Sequence, residues 1–230
     1  MPFGIVALHT VTYSKKMRTK TLLLSAVALA AGLVSSQAQN VYSANVVGYV
    51  NIPLANGYTM IANQLDSDGT QTNNSIYNVV GTNLPPNTQV LCWNGSGFTS
   101  TKLLANGKWS LNNQVVSNAM STGSGFFVNC PATTNITTVG NVIQGTNSYP
   151  IVAGYQVVSP NAPLTGGLDT VFGYVPTAND QALVWNGVGY TSHKFTGTIW
   201  TAGEPTFSVG QAIFLNAAAA KTWTQTFTVQ

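Results

Sequence analysis

Apolar and polar residues alternate with a period of two along much of this chain. The clearest run is Thr222-Trp223-Thr224-Gln225-Thr226-Phe227-Thr228-Val229, and Thr88 to Trp93, Gly125 to Cys130, Gln181 to Trp185 and Gly210 to Leu215 follow the same rule. Alternation puts one set of side chains on a buried face and the other in water, which predicts β-strands. Between the runs lie Asp68-Gly69, Asn94-Gly95, Asn106-Gly107 and Asn186-Gly187, dipeptides that supply positive φ for tight hairpin turns. Long amphipathic helices are missing. Ser75 to Val80, Leu168 to Val175 and Ala217 to Lys221 are each expected to make only a short helical turn. Strand signals recurring about every 8 to 12 residues predict an all-β fold of sandwich or barrel type.

The pattern is written twice. Gln89 to Ser100 returns as Gln181 to Ser192 with eight identities in twelve, and the flanks match in order: Gly57-Tyr58 with Gly154-Tyr155, Trp109 with Trp200, and Gly125-Phe126-Phe127-Val128-Asn129 with Ala212-Ile213-Phe214-Leu215-Asn216. Two tandem, internally duplicated units are therefore expected, the first over 39–140 and the second over 151–230, joined by a linker at 141–150. Each is large enough for a modest core of its own. A single merged sheet is the alternative.

The N-terminus reads as an export signal. Lys15, Lys16, Arg18 and Lys20 precede an apolar run from Leu22 to Val34, and Ser36-Gln37-Ala38 offers small residues for cleavage after Ala38. Residues 1–38 are thus expected to be removed, and a start at Met17 gives a compact signal peptide. The run falls short of the roughly 20 residues a bilayer span needs, so the product is expected to be periplasmic, on the outer surface or extracellular, with no membrane association after cleavage. What remains carries four lysines and no arginine against five acids, a net charge of −1. That excludes the basic stripe a nucleic-acid partner requires.

Little catalytic chemistry is on offer. His193 is the one histidine of the processed chain and sits in a strand-like stretch, Tyr190-Thr191-Ser192-His193-Lys194-Phe195, without a nucleophile's usual companions. No catalytic residue, cofactor or metal site is assigned. Asp66-Ser67-Asp68-Gly69 opens like a calcium loop but lacks the closing carboxylate, and reads as a polar turn. Cys92 and Cys130 both belong to the first unit, and their counterparts Val184 and Ala217 are both non-cysteine. In an exported protein such a pair is most simply a disulfide; the alternative is two buried thiols on adjacent strands.

Trp93, Trp109, Trp185, Trp200 and Trp223, with Tyr58, Phe98, Tyr155 and Tyr190, are the candidates for a binding face, and Trp93, Trp185, Phe98 and Tyr190, at the two hairpin turns, are the candidate ligand-binding residues. Aromatic faces set among Asn, Gln and Thr can stack on sugar rings whose hydroxyls those polar groups bind. A tryptophan repeated at one place of a duplicated unit is, by default, core, which leaves Phe98 and Tyr190 as the exposed members. The signal segment, Val41-Tyr42-Ser43-Ala44-Asn45-Val46-Val47-Gly48-Tyr49-Val50-Asn51, the two Trp-Asn-Gly turns and the later Gly-Phe-Phe-Val resemble a family of secreted, internally duplicated β-rich proteins frequent in Verrucomicrobia-type bacteria. The resemblance spans nearly all of the processed chain. Its motifs are structural and imply no activity, substrate or binding residue. The expected function is a non-catalytic exported structural or surface-interaction protein of an envelope or matrix. The alternative is a carbohydrate-binding module, with polysaccharide as partner, and a periplasmic or extracellular hydrolase comes third.

Overall fold

In the computed structural model, residues 46–112, 114–115 and 119–229 are described. The expected signal peptide lies outside them. The chain forms β1 (Val46–Leu54), β2 (Gly57–Ala62), a one-turn helix α1 (Ile76–Val79), β3 (Gln89–Trp93) and β4 (Phe98–Leu103). It continues through β5 (Trp109–Leu111), β6 (Gln114–Val115), β7 (Gly125–Cys130), β8 (Thr134–Val142) and β9 (Gly145–Ile151). The remaining strands are β10 (Gly154–Val158), β11 (Gly166–Gly167), β12 (Gln181–Trp185), β13 (Tyr190–Lys194), β14 (Thr206–Phe207), β15 (Ile213–Ala217) and β16 (Lys221–Phe227). The all-β expectation holds.

Hydrogen bonding joins the strands in the order β2-β7-β3-β4-β5-β6 in a first sheet and β10-β15-β12-β13 in a second, while β1 with β8 and β9 with β16 make two antiparallel ribbons. Among the described residues no sheet closes into a barrel, so the layout is that of packed layers. Val50, Ile52 and Leu54 of β1 and Ile136 of β8 close over Val90, Phe126 and Val128 of the first sheet. Ile151 of β9 and Trp223 of β16 close in the same way over Ala182, Ile213 and Leu215 of the second. A third apolar layer, centred on Met60, Phe127, Ala212 and Phe214, lies between the two sheets. Each sheet is thus apolar on both faces over its centre, and alternate residues of β7 and β15 feed different layers.

Three expectations change. Residues 141–150 are no linker: β8 runs to Val142 and β9 begins at Gly145, and β9 pairs along its length with β16, from Gly145↔Phe227 to Ile151↔Lys221. Within β9 the exposed Thr146, Ser148 and Pro150 alternate with the more buried Asn147, Tyr149 and Ile151, which is the pattern of a strand and not of a spacer. Ala217 to Lys221 is the connection between β15 and β16, with one residue of each strand at its ends, and among the three helical candidates only Ser75 to Val80 contains a helix. The strand expected from Gly210 begins three residues later, at Ile213, because Gly210 sits at φ +76 in the turn before it.

Cys92 and Cys130 are free thiols. Both face the first core, but the β3–β7 register sets Leu91 opposite Phe127 and Gln89 opposite Asn129, which puts Thr88 rather than Cys92 against Cys130. Thr88 Oγ1 lies 3.5 Å from Cys130 Sγ. Cys92 is four residues further along, about 13 Å at strand rise, beyond the ~7 Å between Cα atoms that a disulfide tolerates.

Where the two sheets meet, Gly125 of β7 lies against Ala212. A Cβ at Gly125 would overlap the Ala212 methyl and come within 2.7 Å of Val157 Cγ1. The sequence repeat aligns these two positions, and the contact explains why glycine stands at one and alanine at the other: the space between the sheets holds a single methyl.

Candidate binding face

The hairpins β3–β4 and β12–β13 carry the candidate residues. Both are closed by the same device. Asn94 Oδ1 accepts the N–H groups of Ser96 and Gly97, and Asn186 Oδ1 accepts those of Val188 and Gly189. Gly95 and Gly187 take φ of +100 and +98, conformations that side-chain-bearing residues avoid. The turns fix the register that sets Trp93 opposite Phe98 and Trp185 opposite Tyr190.

The structure brings all four candidates into one aromatic seam between the sheets. Trp93 packs edge-on against Phe214 with ring centroids 4.9 Å apart, and Trp185 against Phe127 at 5.2 Å. Phe98 touches both Phe127 and Phe214, as does Tyr190. Each tryptophan also spends its one polar group across the seam: Trp93 Nε1 donates to the Tyr155 carbonyl at 2.9 Å and Trp185 Nε1 to the Tyr58 carbonyl at 3.1 Å. Trp93 and Trp185 are half-buried and structural. Phe98 and Tyr190 remain 38% and 41% exposed, and Tyr58 and Tyr155 are each 45% exposed, so both halves present aromatic surface to solvent. Burial raises the pKa of the Tyr190 phenol above its ordinary value, which keeps it a neutral hydroxyl donor. Trp93, Phe98, Tyr155, Leu183, Tyr190 and Phe214 line an open groove of about 330 Å³. A larger groove of about 560 Å³ runs past Leu54, Tyr58, Met60, Trp185 and Val209.

Tyr58 and Tyr155 belong to the aromatic set expected from sequence, whereas Phe127 and Phe214 are the members of this seam that were not singled out. The signal for them is present, since Phe127 recurs as Phe214. What alternation cannot say is which face of a doubly covered strand meets the other half.

The remaining chemistry-bearing groups serve the fold. His193 Nδ1 lies 2.8 Å from the Gly203 carbonyl. Asp66 is buried and accepts the Gln71 N–H and the Asn74 amide, while Asp68 accepts the N–H and hydroxyl of Thr70. Among the described residues no cluster of three metal-ligating side chains occurs. Asp180 is fully buried and accepts Lys221 Nζ at 2.6 Å, the Ala218 and Thr177 N–H groups and the Tyr174 hydroxyl. Burial opposes its charge, but these four donors prevail and hold its pKa below the ordinary carboxylate value. Burial and the hydrogen bond to Asp180 push the Tyr174 phenol far up. Glu204 accepts the N–H groups of Asp169 and Thr170, and Asp169 Oδ2 accepts the Trp200 indole N–H at 2.6 Å. Burial lifts the pKa of Asp169, assisted by the charges of Glu204 and Asp180 and opposed by the Trp200 hydrogen bond and by Lys221.

No family model matches the chain, and neither the curated proteins nor the solved structures give a match to it.

Proposed function

We propose that this chain is a non-catalytic, exported surface-interaction protein built from a duplicated β unit, and that its interaction face is the aromatic seam and the sheet surface beside it. The observation that carries this reading is the division of labour among polar groups. The one histidine beyond the signal segment and the carboxylates Asp66, Asp180 and Glu204 are committed to internal hydrogen bonds. Four aromatic rings, Tyr58, Phe98, Tyr155 and Tyr190, stay exposed in two equivalent sets. Aromatic rings that keep this much surface in water while their other side packs on the seam are a usual mark of a binding surface.

Carbohydrate is the ligand this face suits. Ring faces take up the C–H surface of a sugar, and the strands beside them offer neutral amides and hydroxyls. The test is retention of the purified protein on a panel of insoluble polysaccharides, with reducing ends assayed in the supernatant. Retention without release of reducing ends, weakened by Phe98→Ala or Tyr190→Ala at unchanged thermal stability, is the expected result. Release of reducing ends that disappears in Asp169→Asn or Glu204→Gln would instead make it a hydrolase.

A further inference from the structure

The two sheets agree with each other more on one face than on the other. On the faces turned to the ribbons, Val90, Cys92, Thr101, Phe126 and Val128 stand where the second sheet has Ala182, Val184, His193, Ile213 and Leu215, and Thr99/Thr191 and Gly57/Gly154 are the exceptions. On the faces turned to the seam, Leu91/Leu183, Trp93/Trp185 and Phe127/Phe214 are identical, while Phe98/Tyr190, Met60/Val157, Ala62/Ser159 and Gly125/Ala212 differ. Packing across the seam accounts for that set. Ring packing accounts as well for Tyr58 and Tyr155, which lie against Phe127 and Phe214, but not for the lysine, glutamine and asparagine in line with them, which are also identical.

That row runs straight across four strands. In the first sheet Lys102 lies opposite Gln89, Gln89 opposite Asn129, and Asn129 opposite Tyr58. In the second, Lys194 lies opposite Gln181, Gln181 opposite Asn216, and Asn216 opposite Tyr155. Directly opposed residues project from the same face, so each sheet displays Lys-Gln-Asn-Tyr over roughly 14 Å, three inter-strand steps of ~4.8 Å. A serine, Ser100 or Ser192, flanks each row on the same face, and Gln181 donates to Ser192 Oγ at 2.8 Å. The amides are partly exposed, the lysines exposed and the tyrosines 45% exposed. Solvated polar positions are the ones free to change when nothing binds them, whereas the buried faces have changed; identity at the exposed row points to a shared ligand.

We infer that the two rows are equivalent binding sites for a linear acidic polysaccharide laid across the strands. The inference rests on the carbohydrate reading above and adds the sites and the charge. The tyrosine ring takes a sugar face, the two amides donate to and accept from hydroxyls, and the lysine ammonium meets a carboxylate. Among the described residues neither Lys102 nor Lys194 takes part in an ion pair, since Lys221 makes the one that occurs with Asp180. Two sites on one rigid unit engage one polymer together, so binding to long chains exceeds binding to short ones.

The experiment is titration of the purified protein with a hexamer of galacturonic acid, and affinity electrophoresis through polygalacturonate and its carboxyl-reduced, neutral counterpart. Two hexamers are expected per chain, falling to one in Lys102→Gln or Lys194→Gln. The double variant is expected to bind polygalacturonate about tenfold or more weakly, the loss of a charge-assisted contact at each site, at unchanged melting temperature. Equal retardation by the neutral polymer, or an unaffected double variant, would overturn the acidic assignment and leave a neutral glycan as ligand. A stoichiometry of one would overturn the equivalence of the rows. Failure of both polymers to retard the protein would overturn the inference outright, and the polysaccharide panel then decides separately whether any carbohydrate binds.

Discussion

Trp93 donates its indole N–H to the carbonyl of Tyr155, 62 residues further along and in the opposite sheet. Trp185 returns the bond to Tyr58, so each hairpin is tied to the strand that carries the other sheet's tyrosine. Stability and the geometry of the exposed face are therefore coupled through two hydrogen bonds.

Replacing either indole by phenylalanine leaves most of the apolar contact and removes the donor. Trp93→Phe and Trp185→Phe are each expected to cost about 0.5–1.5 kcal/mol, the net worth of one hydrogen bond whose acceptor water can reach. Tryptophan to alanine at either place is expected to cost about 3–5 kcal/mol. Urea denaturation of the single variants and of the double variant measures both effects.

Gly125→Ala puts a second methyl where one fits. The expected loss is about 1–3 kcal/mol, typical of overpacking. The diagnostic result is recovery: Ala212→Gly introduced into Gly125→Ala is expected to restore much of the denaturation midpoint, which it would not do if the glycine mattered only for its backbone.

Asp180 and Asp169 bias the pH dependence in opposite senses. The folded pKa of Asp180 lies below its unfolded value near 3.8, so its contribution to stability is present above that pH and fades as pH falls through the folded value. The folded pKa of Asp169 is raised, so its ionisation costs stability once pH climbs above about 3.8, and the cost is complete above the folded value. Asp169→Asn keeps an acceptor for Trp200 and is expected to raise stability at pH 7 but not at pH 3. Lys221→Met leaves the buried Asp180 carboxylate with its three other donors but no countercharge and is expected to be the more costly change at neutral pH, about 3 kcal/mol, whereas Asp180→Asn leaves the partly buried Lys221 still bound to Thr177 and Val175 and is expected to cost less. Denaturation midpoints across pH 3 to 8 distinguish the two carboxylates.

Both cysteines are expected to titrate as thiols in denaturant without reductant. In the folded protein Cys92 should react slowly, because burial lifts its pKa and lowers the thiolate fraction, and the buried Cys130 should be protected until unfolding. Added reductant is expected to leave the denaturation midpoint unmoved.

The strands and the two Asn-Gly hairpins could be read from sequence because their causes are local: a period of two in side-chain polarity and a residue that tolerates positive φ. The seam could not. The acceptors for Trp93 and Trp185 lie 62 and 127 residues away, and a strand apolar on both sides of its centre gives no clue to which face meets its own ribbon. The same non-local pairing misled the reading of residues 141–150, whose partner strand ends near the C-terminus. The disulfide failed on register, which spacing along the chain does not contain. Of the candidate residues, Phe98 and Tyr190 are exposed as expected, while the polar rows came into view only when the register showed Lys, Gln, Asn and Tyr side by side.

The single methyl between Gly125 and Ala212 also sets which halves can recognise which. A half bearing glycine at that place leaves room for a copy of itself, whereas two halves bearing alanine would press two methyls into one space. The second half is thereby fitted to the first and not to its own kind.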